Sequence, residues 1–238
     1  MPIFWSRIVP RGVFFRSLVR SSYAHGVSKD LLTSTTFGLA NPRNHVIGAD
    51  GVSQTLPASA AAGLTDEEIL ALFSSGFFGG FVFRIESWLL RWVGARFLPA
   101  RYTGFRPDTG AVVVCRPSAI PRQRLLPVGS LLFNSFLLTD KQVNANGNAK
   151  IPCTSSYVDY GFGSDEARFA GCHRFRVTRL PASGIKANDG QIRIDLEHFR
   201  CNPKENIPTW AERVPAEAFH YVYEKALFAN GIQALMSR

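Results

Sequence analysis

Hydrophobic and polar residues alternate in short runs along the second half of the chain. A period of two places successive side chains on opposite faces of a sheet, and each run is bounded by turn-forming residues. The predicted strands are residues 111–115, 130–138, 154–162, 168–179 and 191–201. We expect all five to belong to one antiparallel sheet.

Helical periodicity flanks these strands. Thr65 followed by Glu68 forms a capping box, so a helix is predicted to begin near residue 65. A second helix is predicted from an apolar stripe expected to face the core, and a C-terminal helix beyond Pro208 from another stripe. The first stripe is Phe81, Ile85, Trp88, Leu89 and Trp92, and the second is Phe219, Val222, Tyr223, Ala226 and Leu227. Helices, then a run of strands, then one long helix indicate an α+β fold.

The first 63 residues differ from the rest in composition. Residues 1–29 are basic and rich in serine, with no acidic residue before Asp30, which is typical of a mitochondrial presequence. Pro10 and Gly12 interrupt a long amphipathic helix, so an arm that lies on a membrane surface or is disordered is the alternative. Residues 31–63 have no sustained period and indicate a linker. The predicted organisation is therefore an arm and linker over 1–63 and a single domain over 64–238.

Composition excludes several classes of protein. A hydrophobic content of 46% with 19% charged residues is that of a globular chain. The net charge of +9 is scattered, with no run of four Lys or Arg residues, so no nucleic-acid partner is predicted. The apolar run 70–83 is shorter than the roughly 20 residues of a spanning helix. The four cysteines form no C-x-x-C pair, which favours reduced thiols and an intracellular protein, cytoplasmic or mitochondrial.

The last two predicted strands can be aligned from their sequences. Each has an apolar face that includes a histidine: Phe169, Gly171, His173, Phe175 and Val177 on one strand, and Ile192, Ile194, Leu196 and His198 on the other. An antiparallel register that joins these faces and opposes unlike charges sets Arg174 opposite Glu197 on the outer face. The same register places His173 directly opposite His198.

Two inward histidines cost free energy unless their ring nitrogens find partners or water. One interpretation is that His173 and His198 are satisfied core residues, or mark a strand end that reaches solvent. The other is that the C-terminal helix leaves the concave face of the sheet open and both rings line a ligand cavity as hydrogen-bonding or acid/base groups. No third ligand for a metal ion is visible at this position, so no metal site is predicted.

The run YGFGSDEARFAGCHRFRV (160–177), followed by an inward-patterned strand, the segment HFRCNP and a closing helix, resembles a stretch of an uncharacterised bacterial and plant family. That family belongs to the helix-grip proteins, the START-like and polyketide-cyclase group, and the resemblance covers residues 100 to 235. The Tyr160-Gly161 step and Phe175-x-Val177 match its pattern. Cys172 and His173 stand where the family has an acidic pair, so no family glutamate carries over. The resemblance implies a curved antiparallel sheet gripping a long C-terminal helix around a mostly apolar cavity.

Candidate site residues follow from that cavity. The predicted catalytic residues are His173 and His198, and the predicted binding residues are Tyr157, Asp159, Phe175 and Leu196. Tyr160 lies on the other strand face from Tyr157 and Asp159, so only one of these sets points inward. His220 follows Phe219 of the apolar stripe, and we expect it to be exposed.

The functional hypothesis is a cofactor-independent cyclase, dehydratase or isomerase that acts on a hydrophobic, polyketide-like small molecule in secondary metabolism. A histidine with a pKa near ~6.5 exchanges protons at neutral pH, which suits chemistry beside a carbonyl group. The alternatives are a non-catalytic lipid or quinone binder, with peripheral membrane contact through the N-terminal arm, and a structural protein with a closed core.

Overall fold

The computed structural model describes residues 8–92, 99–144, 155–181, 190–209 and 216–237. Its helices are α1 (Ile8–Arg20), α2 (Lys29–Leu32), α3 (Thr35–Ala40), α4 (Asp66–Gly79), α5 (Phe81–Trp92) and α6 (Ala216–Met236). Its strands are β1 (Ser22–His25), β2 (Ile47–Pro57), β3 (Val113–Val114), β4 (Leu131–Leu132), β5 (Phe136–Gln142), β6 (Ser155–Gly163), β7 (Ala170–Leu180) and β8 (Gln191–Cys201).

One eight-stranded sheet joins all of these strands in the order β1-β2-β8-β7-β6-β5-β4-β3. The fold is α+β, as predicted, with the sheet packed against the C-terminal helix α6. The sheet is mixed rather than purely antiparallel, because β3 and β4 pair in parallel. The predicted strand 130–138 is divided into β4 and β5, since Phe133 and Asn134 adopt positive φ angles of 53° and 64° in a turn.

The predicted register between β7 and β8 is confirmed. His173 pairs with His198, and Arg174 pairs with Glu197. The apolar rows of the two strands therefore share one face, and α4 and α6 cover it. This arrangement fixes the position of both histidines relative to α6.

The main core lies between this face of the sheet and α4 and α6. Helix α4 begins with the predicted capping box, in which Thr65 and Glu68 each accept a hydrogen bond from the backbone N–H of the other. Phe73 and Phe77 of α4 pack against Phe175, with ring centroids 5.0 and 4.8 Å apart. Close contact with α6 requires a glycine, because a Cβ at Gly76 would lie 2.5 Å from a side-chain carbon of α6.

The opposite face of the sheet is covered by α2, α3 and the segment around Tyr102. A smaller buried cluster lies there, built around Leu31, Cys172 and Phe199. The Tyr102 hydroxyl donates a hydrogen bond to the carbonyl oxygen of Phe162 at 2.7 Å. Both faces of the central strands are thus buried.

Residues 8–61 are part of the fold, where the sequence pattern indicated an arm and a linker. Strand β2 pairs along its whole length with β8, from Ile47–Cys201 to Pro57–Gln191. Its inward face includes polar residues, so the alternation expected of a half-buried strand is not visible in the sequence. Gln54 on that face accepts a hydrogen bond from Ser17 of α1 at 2.6 Å.

Two predicted apolar stripes are placed differently in the structure. Phe81, Ile85 and Trp88 of α5 are exposed rather than in the core, and the side chains of Leu89 and Trp92 lie outside the described residues. The buried face of α6 differs from the predicted stripe: Val222 is exposed, whereas Glu224 is buried. The buried face of α6 also carries Leu227, Phe228, Ile232 and Leu235.

Within the described ranges, one helical stretch has the length and hydropathy of a membrane span. It runs from Asp66 to Ile85 across α4 and α5, and 56% of its apolar window is buried inside the fold. Most of α4 packs on the sheet and on α6, which is the environment of a core helix.

Candidate functional site

A row of polar residues crosses the face of the sheet that α4 and α6 cover, near one end of the strands. The strand register aligns His173 of β7, His198 of β8, Asp50 of β2 and His25 of β1 in a single row. His198 and Asp50 are buried, His173 is half-buried and His25 is exposed. Charged and hydrogen-bonding groups therefore replace apolar residues at this end of the core.

His198 and Asp50 form the centre of the site. The Asp50 carboxylate oxygen Oδ1 lies 3.0 Å from Nδ1 of His198. Their side chains are each only 4% exposed. With the proton on Nδ1, the carboxylate holds His198 in one tautomer and one ring orientation, the role that an acidic partner has beside a catalytic histidine.

Helix α6 adds two groups from one of its faces. His220 and Glu224 are four residues apart, so their side chains project from the same side of the helix. The Nε2 atom of His220 lies 3.3 Å from Asp50 Oδ2, and Glu224 Oε1 lies 3.8 Å from His198 Nδ1. His220 is half-buried rather than exposed, contrary to expectation, with its side chain 20% exposed.

Glu224 is the least satisfied member of this site. Glu224 is 1% exposed, and neither of its carboxylate oxygens has a hydrogen-bond partner among the described residues. An ionised carboxylate in such a position costs several kcal/mol, so the group is driven to hold its proton. Burial, followed by the nearby negative charge of Asp50, raises the pKa of Glu224 well above its usual value.

Asp50 is shifted in the opposite direction. Burial alone raises the pKa of Asp50, but the hydrogen bonds from His198 and His220 outweigh burial and hold it well below its usual range. The pKa values of the two carboxyl groups are therefore shifted in opposite directions, as expected when two carboxyl groups share a buried position.

Arg200 lies among these groups on the same strand face as His198. Its Nη1 atom is 3.0 Å from Asp50 Oδ2 and 3.3 Å from both His198 Nδ1 and His220 Nε2. The guanidinium charge balances the ionised Asp50, and it disfavours a second positive charge on the imidazoles. Burial, together with the charges of His220 and Arg200, lowers the pKa of His198 from 6.5 to about 4 against the opposing effect of Asp50.

His173 has a more apolar environment than His198. Its ring stacks on His198 at a centroid distance of 4.7 Å and lies 5.0 Å from Phe162 and 5.5 Å from Phe77. The Nδ1 atom is buried and has no hydrogen-bond partner within the described part of the chain. Burial, with the nearby His198, lowers the pKa of His173 well below 6.5, so the ring is neutral at physiological pH. Because His173 is half-buried, this end of the face is not completely closed.

The same cluster contains donors of the type that bind divalent transition metals. One ligand atom from each of Asp50, His198, His220 and Glu224 can be chosen so that all four lie within 4.8 Å of one another. Arg200 Nη1, however, already lies within hydrogen-bonding distance of Asp50, His198 and His220. A cation in their midst would have to displace a guanidinium that already neutralises Asp50, so the geometry fits a hydrogen-bonded acid/base cluster better than a metal centre.

The predicted binding residues are divided between the two faces of the sheet. Phe175 and Leu196 are buried on the same face as the histidines, where they pair across β7 and β8 as part of the core. Tyr160 is on this face, opposite His173. Tyr157 and Asp159 lie on the other face, so they do not contribute to the histidine site.

Asp159 instead forms a buried ion pair on that other face. Arg174 donates two hydrogen bonds to its carboxylate, at 2.6 and 2.7 Å, and both residues are at most 1% exposed. The Tyr157 ring stacks 4.0 Å from the guanidinium carbon of Arg174. A polar cleft of about 510 Å³ lies beside this pair, lined in part by Tyr157, Asp140 and Asp30.

No family model, curated protein or solved structure matches this chain.

Three residues of the site, Asp50, His220 and Glu224, were not predicted as site residues from the sequence, and two of them left a signal. His220 and Glu224 have the i, i+4 spacing of a helical pair, so a search for polar residues on the apolar side of the last helix would have indicated them. Asp50 lies in the segment interpreted as a linker, and no local pattern distinguishes it. Its position depends on the pairing of β2 with β8.

Proposed function

We propose that this chain is a cofactor-independent enzyme that transfers protons on a hydrophobic, oxygenated small molecule, in a reaction of the isomerase, dehydratase or cyclase type. The observation that carries the proposal is the position of Glu224 and Asp50, two buried carboxyl groups that meet at one histidine, His198. Enzymes that run acid and base steps at neutral pH use such pairs, in which the environment separates the two protonation states.

The groups have distinct roles in this proposal. Asp50, ionised, orients His198, and the neutral imidazole takes a proton from a carbon next to a carbonyl group. Glu224, protonated, gives its proton to the carbonyl oxygen to form an enol. His198 then returns the first proton to a different carbon while the enol oxygen gives its proton back to Glu224, which completes an isomerisation. In a dehydration, Glu224 protonates the departing hydroxyl group instead, and water leaves. No external oxidant or reductant is needed.

The surroundings of the site support a hydrophobic substrate. Aromatic rings of Phe162, Phe136 and Phe77 surround His173, with centroids 5.0, 6.0 and 5.5 Å from the imidazole. A polyketide-like compound, with an apolar body and several carbonyl groups, has this combination of properties. The same aromatic rings support the alternative, a non-catalytic binder of lipid or quinone.

The test compares the full chain with Glu224→Gln and with Glu205→Gln, a matched change at a surface glutamate whose side chain is 43% exposed. Each protein is incubated with metabolite extracts of its native host, and products are followed by mass spectrometry. We expect the wild type and Glu205→Gln to convert one compound to an isomer or to a product that has lost one water. Glu224→Gln should slow that conversion by about 10²- to 10⁴-fold, the usual effect of losing a general acid.

Three outcomes would overturn the proposal. Recovery of an unchanged ligand from all three proteins indicates a binder. Loss of activity on treatment with a chelator, restored by a divalent cation, indicates that the cluster holds a metal. Equal rates in Glu224→Gln and the wild type indicate that Glu224 has only a structural role.

A further inference from the structure

Helix α5 presents a row of large apolar side chains to solvent. Phe81, Ile85 and Trp88 are 42%, 53% and 62% exposed, at the i, i+4, i+7 spacing of one helix face. Together with Arg84 they line a shallow groove of about 330 Å³. A stripe of this kind normally packs into a core, so its exposure needs an explanation.

Helix α1 extends the same apolar surface. Phe15 and Val19, one turn apart, are 61% and 81% exposed. Phe14 is buried beside them and connects the two helices, because its ring lies 5.4 Å from Phe15 and 4.9 Å from Phe81. We call the surface formed by Phe15, Val19, Phe81, Ile85 and Trp88 the α1/α5 face.

The described charged side chains beside the α1/α5 face are positive. Arg16 and Arg20 of α1 and Arg84 of α5 are exposed next to its apolar members. Helix α1 contains no acidic residue, and the chain as a whole has a net charge of +9. Arginine side chains can keep their heads in the headgroup layer while their stems cover apolar surface, and tryptophan favours that layer as well.

We propose that the α1/α5 face docks the protein on the surface of a membrane rich in anionic phospholipids. The apolar side chains enter the boundary between headgroups and acyl chains, and the arginines contact phosphate and carboxylate groups above it. Two short apolar rows with a basic rim suit a flat anionic surface. The proposal is independent of the chemistry proposed for the histidine site.

The experiment measures flotation of the full chain with two kinds of vesicle, phosphatidylcholine alone and phosphatidylcholine with phosphatidylserine. We expect binding to the anionic vesicles that weakens as salt is added. The double change Ile85→Ser and Trp88→Ser should reduce binding by about tenfold or more, since each side chain loses the free energy of entering the bilayer. Ile207→Ser, a change at an apolar residue that is 50% exposed elsewhere, is the control and should bind like the wild type.

A second pair of variants tests the charges. Arg16→Glu with Arg20→Glu should abolish the preference for anionic vesicles. Arg122→Glu with Arg124→Glu makes the same change of charge at exposed residues outside α1 and α5 and should reduce binding much less. Trp88→Phe keeps the apolar surface, so it should still bind. Its tryptophan fluorescence should be quenched less by brominated lipid than that of the wild type.

Several results would overturn the proposal. The first is no binding to either kind of vesicle, and the second is equal loss in the face and control variants. The third is a concentration-dependent dimer in light scattering that is lost in Ile85→Ser with Trp88→Ser, because the face would then join two copies of the chain.

Discussion

The two faces of the sheet each bury charged groups, but they satisfy them differently. On the face covered by α2 and α3, Arg174 and Asp159 form a two-hydrogen-bond pair in which each charge has an opposite partner. Burial lowers the pKa of Arg174, but its hydrogen bonds to Asp159 outweigh burial and hold the pKa above its usual value. On the face covered by α4 and α6, two carboxyl groups, two imidazoles and one guanidinium share a site in which Glu224 has no donor among the described residues.

This difference separates a structural ion pair from a functional candidate. A matched pair fixes the position of β6 relative to β7 and leaves no group free to exchange protons. A site with an excess of buried carboxyl groups lowers the stability of the fold, and a stable core has no need of such groups. Asp159, predicted as a binding residue, therefore belongs to the scaffold, and Glu224, absent from that prediction, is the stronger candidate for chemistry.

The largest expected effect comes from replacing one buried carboxyl group on each face by an amide. Asp159→Asn leaves the Arg174 guanidinium buried without its counter-charge and should cost about 3–5 kcal/mol of the free energy of unfolding. Glu224→Gln should change it by only about 1 kcal/mol at neutral pH, since a protonated carboxyl group is replaced by a neutral amide of the same shape that can donate to Asp50. Urea denaturation of both variants, with Glu205→Gln as the surface control, measures the difference. Equal losses would remove the distinction between the two faces.

Local sequence patterns predict the scaffold better than the site. The register of β7 and β8 follows from joining apolar faces and opposing Arg174 and Glu197, and the structure confirms it. The guanidinium of Arg174 nevertheless pairs with Asp159 on the neighbouring strand β6, because an arginine reaches across the sheet as easily to one neighbour as to the other. Periodicity identifies strands and their faces but not which of several charges a long side chain will contact.

Strand β2 shows the limit of periodicity most clearly. Two of its inward residues, Asp50 and Gln54, are polar, and each is satisfied by a group far away in the sequence. Gly51 is required because a Cβ there would lie 2.8 Å from the carbonyl oxygen of Leu196. Each of these choices is explained by a neighbour on β8 or α1, so the segment IGADGVSQTLP resembles a linker until its partners are known.

The pH dependence of stability should be of intermediate size and should involve mainly the histidine face. The pKa of His198 falls from 6.5 to about 4 on folding, so the folded state binds fewer protons than the unfolded state between these values. Stability from this group is complete above pH 6.5 and is lost as the pH falls toward 4, by about 3 kcal/mol for a shift of that size. Thermal denaturation across this range measures the loss, and a flat profile would contradict the buried, neutral state of His198.

Glu224 should act in the opposite direction at higher pH. Its pKa is raised on folding, so the folded state binds more protons than the unfolded state above the usual glutamate value, and stability falls as the pH rises through that window. Glu224→Gln removes the titrating group and should flatten this part of the profile, whereas Glu205→Gln should not. Superimposable profiles for Glu224→Gln and the wild type would show that Glu224 is ionised in both states.

The smallest effect is expected for His173→Phe, which separates the two histidines that face each other. The ring of His173 packs among Phe77, Phe136 and Phe162, and its buried Nδ1 has no hydrogen-bond partner among the described residues. Replacing an unpaired polar ring with an apolar ring of similar shape loses no hydrogen bond at Nδ1, so the free energy of unfolding at neutral pH should change by at most about 1 kcal/mol.

His198→Phe is the matched comparison, because it removes the partner of Asp50 and leaves a buried carboxylate less satisfied. It should cost about 1–3 kcal/mol, more than His173→Phe. Chemical denaturation of both variants at neutral pH gives the two values. Both rings lie on one face of adjacent strands and differ chiefly in their polar contacts. The difference between the two values therefore measures how much the contact between Asp50 and His198 contributes to the free energy of unfolding. A larger loss of stability for His173→Phe would indicate that the site is centred on the aromatic residues around His173 and not on the Asp50–His198 pair.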